Sequence, residues 1–492
     1  MNFSFIIKYI FSLILLSVLL ICCNSEKNVT YVTIHTDTLV SKNYIGNGVQ
    51  WDPYQLDYGK VKLEISPSDW EKLYARLDFM RPHFIRVMLN TASLVENGIL
   101  NHDKNIKNIK PILDYCQSRH VKVMFGDWGW GLINESDINE RNIKYAVDYL
   151  NYLVNEKSFS CINYYNLINE PNGYWAATNG SYPLWKKTIR FFHDEMENQN
   201  LTEKVKIVGP DIAIWDTKET GWIDSCSTHL SKEIGLYDIH TYPSKITVNS
   251  GKYSDIIRAY QKRVPKDRQI VMGEIGLKFV EEADSVYRKE NISRAQSKKY
   301  ASTDDSQLFV YDYMYGIDMT DALLQTINAG YSGSVAWMLD DAMHSNESPE
   351  KLKVWGFWNI LGEEFFGKEE EKIRPWYYAW SLLCRYMPTG SDVYKVSVTG
   401  NPAIKSTFSG KDHNYMLALL NISNEVQQVK IRHSSLAGLD HAKKFVYSQD
   451  NLKTEGDHVL LPTEDHLTLR WDKGEIITVP ANSLVVYTTF EY

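Results

Sequence analysis

The sequence has few cysteines, no cluster of basic residues and a single long apolar run. Six cysteines are spread over 492 residues, and Cys116, Cys161, Cys226 and Cys384 form neither a CxxC pair nor a metal-ligand grouping. We expect these four to be buried free thiols, although an export compartment would permit a disulfide. Because the net charge is −8 and no Lys/Arg-rich stripe is present, a nucleic-acid partner is disfavoured: little positive charge is available to neutralise phosphates.

The one apolar run lies at the N-terminus and indicates export. It follows the positively charged start Met1–Lys8 and extends for about 13 residues, too short to cross a bilayer but suited to a signal peptide. It ends in Cys22-Cys23, which resembles a bacterial lipoprotein signal whose cysteine is acylated after cleavage. We predict a signal over residues 1–23, with Cys23 as lipid anchor because the small Cys22 precedes it. An ordinary secretory signal is the alternative.

Either signal predicts an exported protein. With the lipid anchor it would be a bacterial membrane lipoprotein facing the periplasm or the cell surface, touching the membrane only through Cys23.

The aromatic content of 13%, with 14 Trp and 32 Tyr, has two explanations. The rings either fill a large core or offer flat apolar faces to sugars.

Between Tyr44 and Arg385, short β-rich runs alternate with longer amphipathic stretches, and several of the runs are almost wholly apolar, as in a parallel sheet. The candidate strands are Ile45–Trp51, Phe84–Leu89, Val121–Trp128, Tyr164–Glu170, Lys206–Asp211, Leu236–Tyr242, Gln269–Gly276 and Gly333–Asp340. The candidate helices are Ser68–Leu77, Ile109–Arg119, Asn142–Glu156, Trp185–Asn198 and Asp305–Ala329. Eight such alternations predict an α/β fold, a (β/α)8 TIM barrel over residues 24–387 with its core at about 44–387. A doubly wound sheet is disfavoured because no Gly-rich phosphate loop follows an early strand.

After Met387 the pattern changes to successive period-2 strands without a helix. Residues 388–492 are therefore predicted to form an antiparallel β-sandwich packed directly on the barrel. The segment Tyr31–Val40 is also strand-like, and it either pairs with this sandwich or caps the barrel.

Two glutamates stand where the chemistry of a TIM barrel is found, at the carboxyl ends of the strands. The fourth predicted strand ends in Asn169-Glu170-Pro171, and the seventh ends in Gly273-Glu274-Ile275. Cleavage of a glycosidic bond with retention needs two such carboxyl groups roughly 5 Å apart, one to protonate the leaving oxygen and one to attack the anomeric carbon. Their surroundings must hold the two pKa values apart.

On these motifs the chain resembles clan A of the retaining glycoside hydrolases, which includes families 5, 30, 39 and 42. The resemblance covers the barrel and the trailing sandwich. It implies that Glu170 is the acid/base, that Glu274 is the nucleophile, and that Asn169 hydrogen-bonds the sugar 2-hydroxyl. No cofactor or metal is implied, and the substrate is a poly- or oligosaccharide.

The same resemblance gives roles to further residues. Tyr242 is expected to donate to the nucleophile, His240 to reach the same pocket, and Trp337 to form the floor of the subsite beside the scissile bond. Arg86 interrupts an apolar strand, where an unpaired cation would be costly, and is expected to keep the nucleophile ionised. Asp127, Trp128 and Trp51 end strands three and one and are candidate sugar contacts. Several tryptophans fall in loops above the barrel, and some of them are expected to shape subsites: Trp130, Trp175, Trp215, Trp355 and Trp358.

Other functions stay open at this stage. A glycan-binding lipoprotein without activity is possible, as is a transglycosylase that passes the covalent intermediate to a sugar acceptor. Asp340, Asp341 and His344 have a spacing that suits no standard metal site. The sequence leaves open the sugar configuration, exo or endo cleavage, and the oligomeric state.

Overall fold

The computed structural model describes residues 29–54, 56–58, 61–341, 348, 350–433, 436–450 and 452–492. The predicted signal peptide with Cys23, and also His344, lie outside these residues. Within the described ranges, Cys116, Cys161, Cys226 and Cys384 are buried and free. No helix among the described residues is long and apolar enough to cross a bilayer.

The predicted TIM barrel is confirmed. Eight parallel strands close into a barrel in which each strand pairs with its neighbours in chain order. The strands are Gly46–Gln50, Phe84–Leu89, Lys122–Asp127, Ile162–Asn166, Lys206–Ile214, Ile234–Thr241, Ile270–Ile275 and Gly333–Ala336, and they are called here barrel strands one to eight. Strands four and eight end earlier than the sequence pattern predicts. Glu170 and Trp337 therefore lie on loops just above the strands.

Helices surround the barrel and connect its strands. They span Pro67–Met80, Ile106–Ser118, Glu140–Asn151, Tyr182–Asn198, Thr220–His229, Lys245–Asn249, Lys252–Gln261, Ser285–Ser297, Tyr313–Asn328 and Trp376–Arg385. The first begins two residues earlier than the N-cap at Ser68 predicts. Ser66 caps it, Pro67 occupies the first turn, and the Asp69 carboxylate accepts a hydrogen bond from the Ser66 backbone N–H in a capping box.

Four short two-stranded hairpins are formed within the loops. Their paired strands are Leu56–Tyr58 and Val61–Leu63, Val95–Glu96 and Ile99–Leu100, Ile133–Asn134 and Asp137–Ile138, and Thr454–Glu455 and Val459–Leu460. The barrel interior below the mouth is filled by one apolar side chain from each strand or its start. These eight residues, called the floor layer, are Ile45, Phe84, Met124, Tyr164, Val208, Leu236, Val271 and Val335. The floor closes the barrel, so a ligand can enter only from the carboxyl ends of the strands.

A separate sheet of nine strands takes residues from both ends of the chain. Its strands are Val29–Ser41, Asp392–Thr399, Ile404–Lys411, Asn414–Asn421, Gln427–His433, Gly438–Tyr447, Glu464–Arg470, Ile476–Val479 and Ser483–Thr488. The N-terminal strand Val29–Ser41 pairs antiparallel with Asp392–Thr399 and parallel with Gln427–His433. It therefore joins the sandwich and does not cap the barrel. The domain limits drawn from sequence stay a prediction.

The sheet packs directly on the barrel. Along Asn414–Asn421, Met416, Ala418 and Leu420 join the large core shared with the barrel helices, while Leu417 and Leu419 enter a second core on the other face of the sheet. This alternation is the period-2 pattern of a strand buried on both faces. The rings of Tyr313 and Tyr447 also stack across the boundary at 4.5 Å.

Candidate active site

Glu274 points into the barrel because strand seven carries a β-bulge. Ile239 pairs with Met272 and His240 pairs with Glu274, so Gly273 is one residue more than strand six provides. Without the bulge, Glu274 would face outward, since Val271 faces the interior and side chains alternate. Gly273 is needed here, because a Cβ at that position would lie 1.9 Å from Asp238 Oδ2.

Glu170 reaches the same cavity from the loop above strand four. Its backbone is left-handed, with φ 47°, a strained conformation for a non-glycine residue. Its Oε2 accepts a hydrogen bond of 2.7 Å from Trp175 Nε1, and its Oε1 lies 3.2 Å from His240 Nδ1. One carboxylate oxygen of Glu170, one of Glu274 and a ring nitrogen of His240 all lie within 4.8 Å of one another.

Glu274 is held by two partners on opposite sides. Arg86 Nη1 donates to Oε2 over 2.9 Å, and the Tyr242 hydroxyl donates to Oε1. Burial raises the pKa of Glu274 above its ordinary value, while His240 and Arg86 act against that rise. The cations therefore favour the ionised carboxylate that a nucleophile requires.

Arg86 is fully buried and connects several parts of the site. Besides Glu274, it donates to Gln50 Oε1 over 2.7 Å and to Asn169 Oδ1 over 2.7 Å, and its Nη2 lies 3.4 Å from Asp211 Oδ2. Burial lowers the pKa of the guanidinium, but Asp211 and Glu274 outweigh this and raise it. The cation is thus compensated, as a buried charge must be.

Asp211 is a part of the site that sequence reasoning missed. Strand five carries a bulge between Pro210 and Ile212, and Asp211 has φ 58° at that point. Its Oδ1 lies 2.9 Å from His240 Nε2, and its Oδ2 accepts from Asn166 Nδ2 over 2.7 Å and from the Glu170 backbone N–H over 3.4 Å. A buried acid in an apolar strand is the same signal that singled out Arg86.

The charges around His240 favour its protonated form. Burial lowers its pKa, yet Asp211 and Glu274 outweigh this and raise it well above the ordinary value. Burial would also raise the pKa of Asp211, but His240 and Arg86 bring it below the ordinary value. Asp238 behaves differently: burial and the neighbouring Asp211 raise its pKa. We conclude that Asp211 is the ionised member of this pair of acids.

An aromatic cluster lies beside Glu274, to which its member Tyr242 donates a hydrogen bond. Trp337 and Trp128 pack edge to face with ring centroids 6.4 Å apart, and the Trp355 ring lies 5.4 Å from that of Tyr242. These rings form one small cluster with Met338. The structure thus brings Trp337, Trp128 and Tyr242 into one cluster. Trp355 is buried against Tyr242, and Trp358 is buried in the main core.

The structure does not bring two of the predicted sugar contacts, Trp51 and Asp127, to the paired glutamates, because both side chains turn away from the barrel interior. Gln50 faces the interior, so Trp51 faces outward and packs in the core against Trp70 and Tyr115. Met124 faces the interior, so Asp127 also turns away from it. Its carboxylate accepts the backbone N–H groups of Thr91 and Gly129 over 2.8 and 2.7 Å, which fixes the loops above the strands.

Besides the group His193, Asp194 and Glu197 on an outer helix, two groups of acidic and histidine side chains at the barrel mouth are close enough to be tested as metal sites: Glu170, His240 and Glu274, and Asp211, Asp238 and His240. Both contain His240, whose raised pKa disfavours the neutral imidazole that a metal needs. Arg86 adds a second positive charge 2.9 Å from Glu274. Asp341, whose sequence spacing already suits no metal site, pairs with Arg374.

No family model matches the sequence, and a comparison with curated proteins gives no match either. Solved structures do match. A GH30 endoxylanase from Clostridium papyrosolvens is similar at 13% identity and TM-score 0.58, covering 93% of this chain and 99% of the enzyme. A GH39 β-xylosidase from Caulobacter crescentus is similar at 11% identity and TM-score 0.57, covering 93% of this chain and 99% of the enzyme.

A conserved exported protein from Bacteroides fragilis is also similar, at 12% identity and TM-score 0.63, covering 93% of this chain and 100% of that protein. The similarity spans both the barrel and the nine-stranded sheet, since nearly the whole of each chain is covered. At such low identity it shows a shared fold. The function must be argued from the residues of the site.

Proposed function

We propose that this protein is a retaining glycoside hydrolase that cleaves β-linked O-glycosidic bonds of a poly- or oligosaccharide. The observation that carries the proposal is the pair Glu170 and Glu274, which approach within 4.8 Å in one cavity. This separation suits a retaining mechanism at about 5 Å, because an inverting enzyme needs a wider gap of about 6.5–9.5 Å to admit water. Similarity in fold to a GH30 endoxylanase and a GH39 β-xylosidase supports it.

In the first step, Glu170 donates its proton to the glycosidic oxygen while the Glu274 carboxylate attacks the anomeric carbon. The bond from that carbon to oxygen breaks, the alcohol leaves, and a glycosyl ester forms on Glu274. In the second step, Glu170, now a carboxylate, takes a proton from water as the water oxygen attacks the anomeric carbon. The ester bond breaks and Glu274 is released as a carboxylate.

The neighbours of Glu274 suit a nucleophile, and the neighbours of Glu170 fix the direction of its carboxyl group. Arg86 and Tyr242 both donate to Glu274, which orients it and favours its ionised form before attack. Trp175 and His240 contact the two oxygens of Glu170. Asn169 accepts from Arg86 through Oδ1, which leaves its amide N–H groups to donate to a sugar hydroxyl.

The test is capture of the covalent intermediate. The protein is incubated with 2-deoxy-2-fluoro-β-glycosyl fluorides of the gluco, galacto, manno and xylo series, and its intact mass is measured. We expect one glycosyl unit per chain, located on Glu274 by peptide mapping. In a separate reaction with an ordinary β-linked substrate, the first-formed product should have the β configuration by NMR. A label on another residue, or an α product from β substrate, would contradict the proposal.

We also propose export with acylation at Cys23, on the basis of the N-terminal sequence alone. A Cys23→Ala variant expressed in a bacterium is expected to move from the membrane fraction to the soluble exported fraction, since the acyl chains are absent. If the wild-type protein is found free of membranes, an ordinary secretory signal is the better explanation.

A further inference from the structure

Three large aromatic residues lie exposed beside Glu170. Tyr174, Trp175 and Trp215, called here the aromatic rim, are 84%, 37% and 48% exposed. The Trp175 ring meets Trp215 at 6.0 Å and Tyr174 at 5.0 Å, both edge to face. Tryptophans with a structural role in this protein are instead enclosed, as Trp185 and Trp376 are at 1% and 0% exposure. A cluster of exposed apolar rings often marks a ligand-binding surface.

The rim is held in place by the polypeptide around it. Asn172 exchanges two hydrogen bonds with the backbone of Ala213, which ties the loop after strand four to the end of strand five. Trp215 follows that strand directly. Trp175 folds back over Gly173, where a Cβ would lie 2.3 Å from the indole ring. The rings are therefore preorganised, which lowers the entropy cost of binding.

Trp175 also joins the rim to the proposed chemistry. Its indole N–H donates to Glu170 Oε2 over 2.7 Å. If Glu170 is the acid/base, as proposed above, it must face the oxygen of the leaving group. The Trp175 ring, which is hydrogen-bonded to Glu170, and the two rings packed against it then lie on the side of the leaving group. They do not surround the sugar that Glu274 attacks.

We propose that the aromatic rim is a leaving-group subsite that binds a sugar residue beyond the scissile bond. The inference rests on the proposed function and names its substrate class: a chain with at least one further sugar unit on the leaving side. The C–H faces of that sugar pack on Trp175 and Trp215. Binding of this unit and orientation of the Glu170 carboxyl are coupled, since one indole takes part in both.

The experiment compares substrates that fill the subsite with substrates that cannot. The probes are β-linked hexasaccharides of glucose, galactose, mannose and xylose, and the corresponding β-glycosyl fluorides, whose leaving group is a single atom. We expect Trp175→Ala and Trp215→Ala to lower kcat/KM on the cleaved hexasaccharide about 10- to 100-fold, because the sugar then has no ring face to pack on. For Trp215→Ala, turnover of the glycosyl fluoride should change less than about threefold, because the hydrogen bond to Glu170 comes from Trp175 and is kept. Trp175→Ala also removes that donor, so its fluoride turnover is expected to fall too, but less than its hexasaccharide turnover.

Trp175→Phe separates the two roles of the indole, because it keeps a ring and removes the N–H donor. We expect KM for the hexasaccharide to stay within about threefold of wild type while kcat falls about tenfold, as when one hydrogen bond to a charged group is removed. When the hexasaccharide is added to a reaction with the glycosyl fluoride, it can also accept the glycosyl group in place of water. We expect such transfer products with the wild-type protein, and fewer with Trp175→Ala. Phe365→Ala, at an aromatic residue 43% exposed outside the rim, is the matched control and should change neither rate.

The two proposals fail differently. If the wild-type protein turns over the glycosyl fluorides but none of the hexasaccharides, or if Trp215→Ala loses activity equally on both, the subsite proposal is overturned and the hydrolase proposal stands. If no glycosyl fluoride and no hexasaccharide reacts, the proposed function itself is overturned. Selective loss on the hexasaccharide supports both.

Discussion

The floor layer and the mouth of the barrel are built by the same strands, but the floor side chains are apolar and those at the mouth are charged or polar. On strand two, Phe84 belongs to the floor layer, and Arg86, on the same face, belongs to the site. On strand six, Leu236 in the floor is followed on that face by Asp238 and His240. Two residues of strand, about 7 Å, separate a dry apolar layer from a charged one.

The difference shows where the protein's constraints lie. Each floor residue contributes by volume and apolar area, so its energetic role is largely independent of the others. The charges at the mouth depend on one another: Arg86 is compensated by Glu274 and Asp211, and His240 lies between Glu170 and Asp211. Changes at the mouth should therefore affect activity, and changes in the floor should affect stability.

The largest effect is expected from Glu274→Ala. Loss of the nucleophile should lower kcat/KM at least about 10⁴-fold on glycosyl fluorides and oligosaccharides alike. Arg86 keeps Asp211 as a partner, so circular dichroism should show a folded protein. A folded variant with less than about a tenfold loss would contradict the role assigned to Glu274.

Glu170→Ala should discriminate between leaving groups. Activity on an oligosaccharide is expected to fall about 10²- to 10⁴-fold, because its leaving oxygen needs a proton. Formation of the glycosyl-enzyme from a glycosyl fluoride should fall far less, because fluoride leaves without an acid. Azide is expected to restore turnover and to give a β-glycosyl azide. Equal losses on both substrates would argue against the acid/base role.

Asp211→Asn tests the coupling of charges at the mouth. Without the Asp211 charge, the pKa of His240 falls, and a neutral His240 no longer lowers the pKa of Glu274. The acid limb of kcat/KM against pH should therefore move to higher pH, with a loss of about 10- to 100-fold near neutrality. An unmoved acid limb would show that Asp211 has only a structural role.

A matched control for this variant is Asp340→Asn. Burial raises the pKa of Asp340 to about 8, so this carboxyl is already mostly protonated at pH 7. It contacts Tyr54 and the backbone of Ile360 and makes none of the contacts of the catalytic pair. The acid limb of its activity profile should coincide with that of the wild type.

The smallest effect on activity is expected in the floor. Leu236→Ala should lower the free energy of unfolding by about 2–5 kcal/mol, because it leaves a cavity in a closely packed layer. The folded fraction should keep kcat/KM within about threefold of wild type. Denaturant unfolding and kinetics on the same samples measure both. A loss of activity without a loss of stability would remove the distinction between the two layers.

Much of the fold can be predicted because burial leaves a direct trace in the sequence. The sequence places strand two at Phe84–Leu89, where the structure has it, because its apolar run is typical of a strand buried on both faces. Arg86 can be singled out because a cation on such a strand needs a partner, whereas His240 and Tyr242 are indicated by the resemblance to clan A. Alternation from Met124 explains why Asp127 faces outward. On strand one, Ile45 and Gln50 both face the interior although five positions separate them, so the alternation breaks near Gly46, which has φ 136°. The outward direction of Trp51 follows only from that break.

The sequence alone determined the order of elements and the residues at the strand ends, and period-2 alternation placed His240 and Tyr242 on the same face of strand six. Only the tertiary structure decided that Asp211 and Glu274 face the cavity, since both depend on bulges in strands five and seven. A bulge is a mismatch in length between two paired strands. It is therefore a property of the pairing, which neither strand's own residues specify.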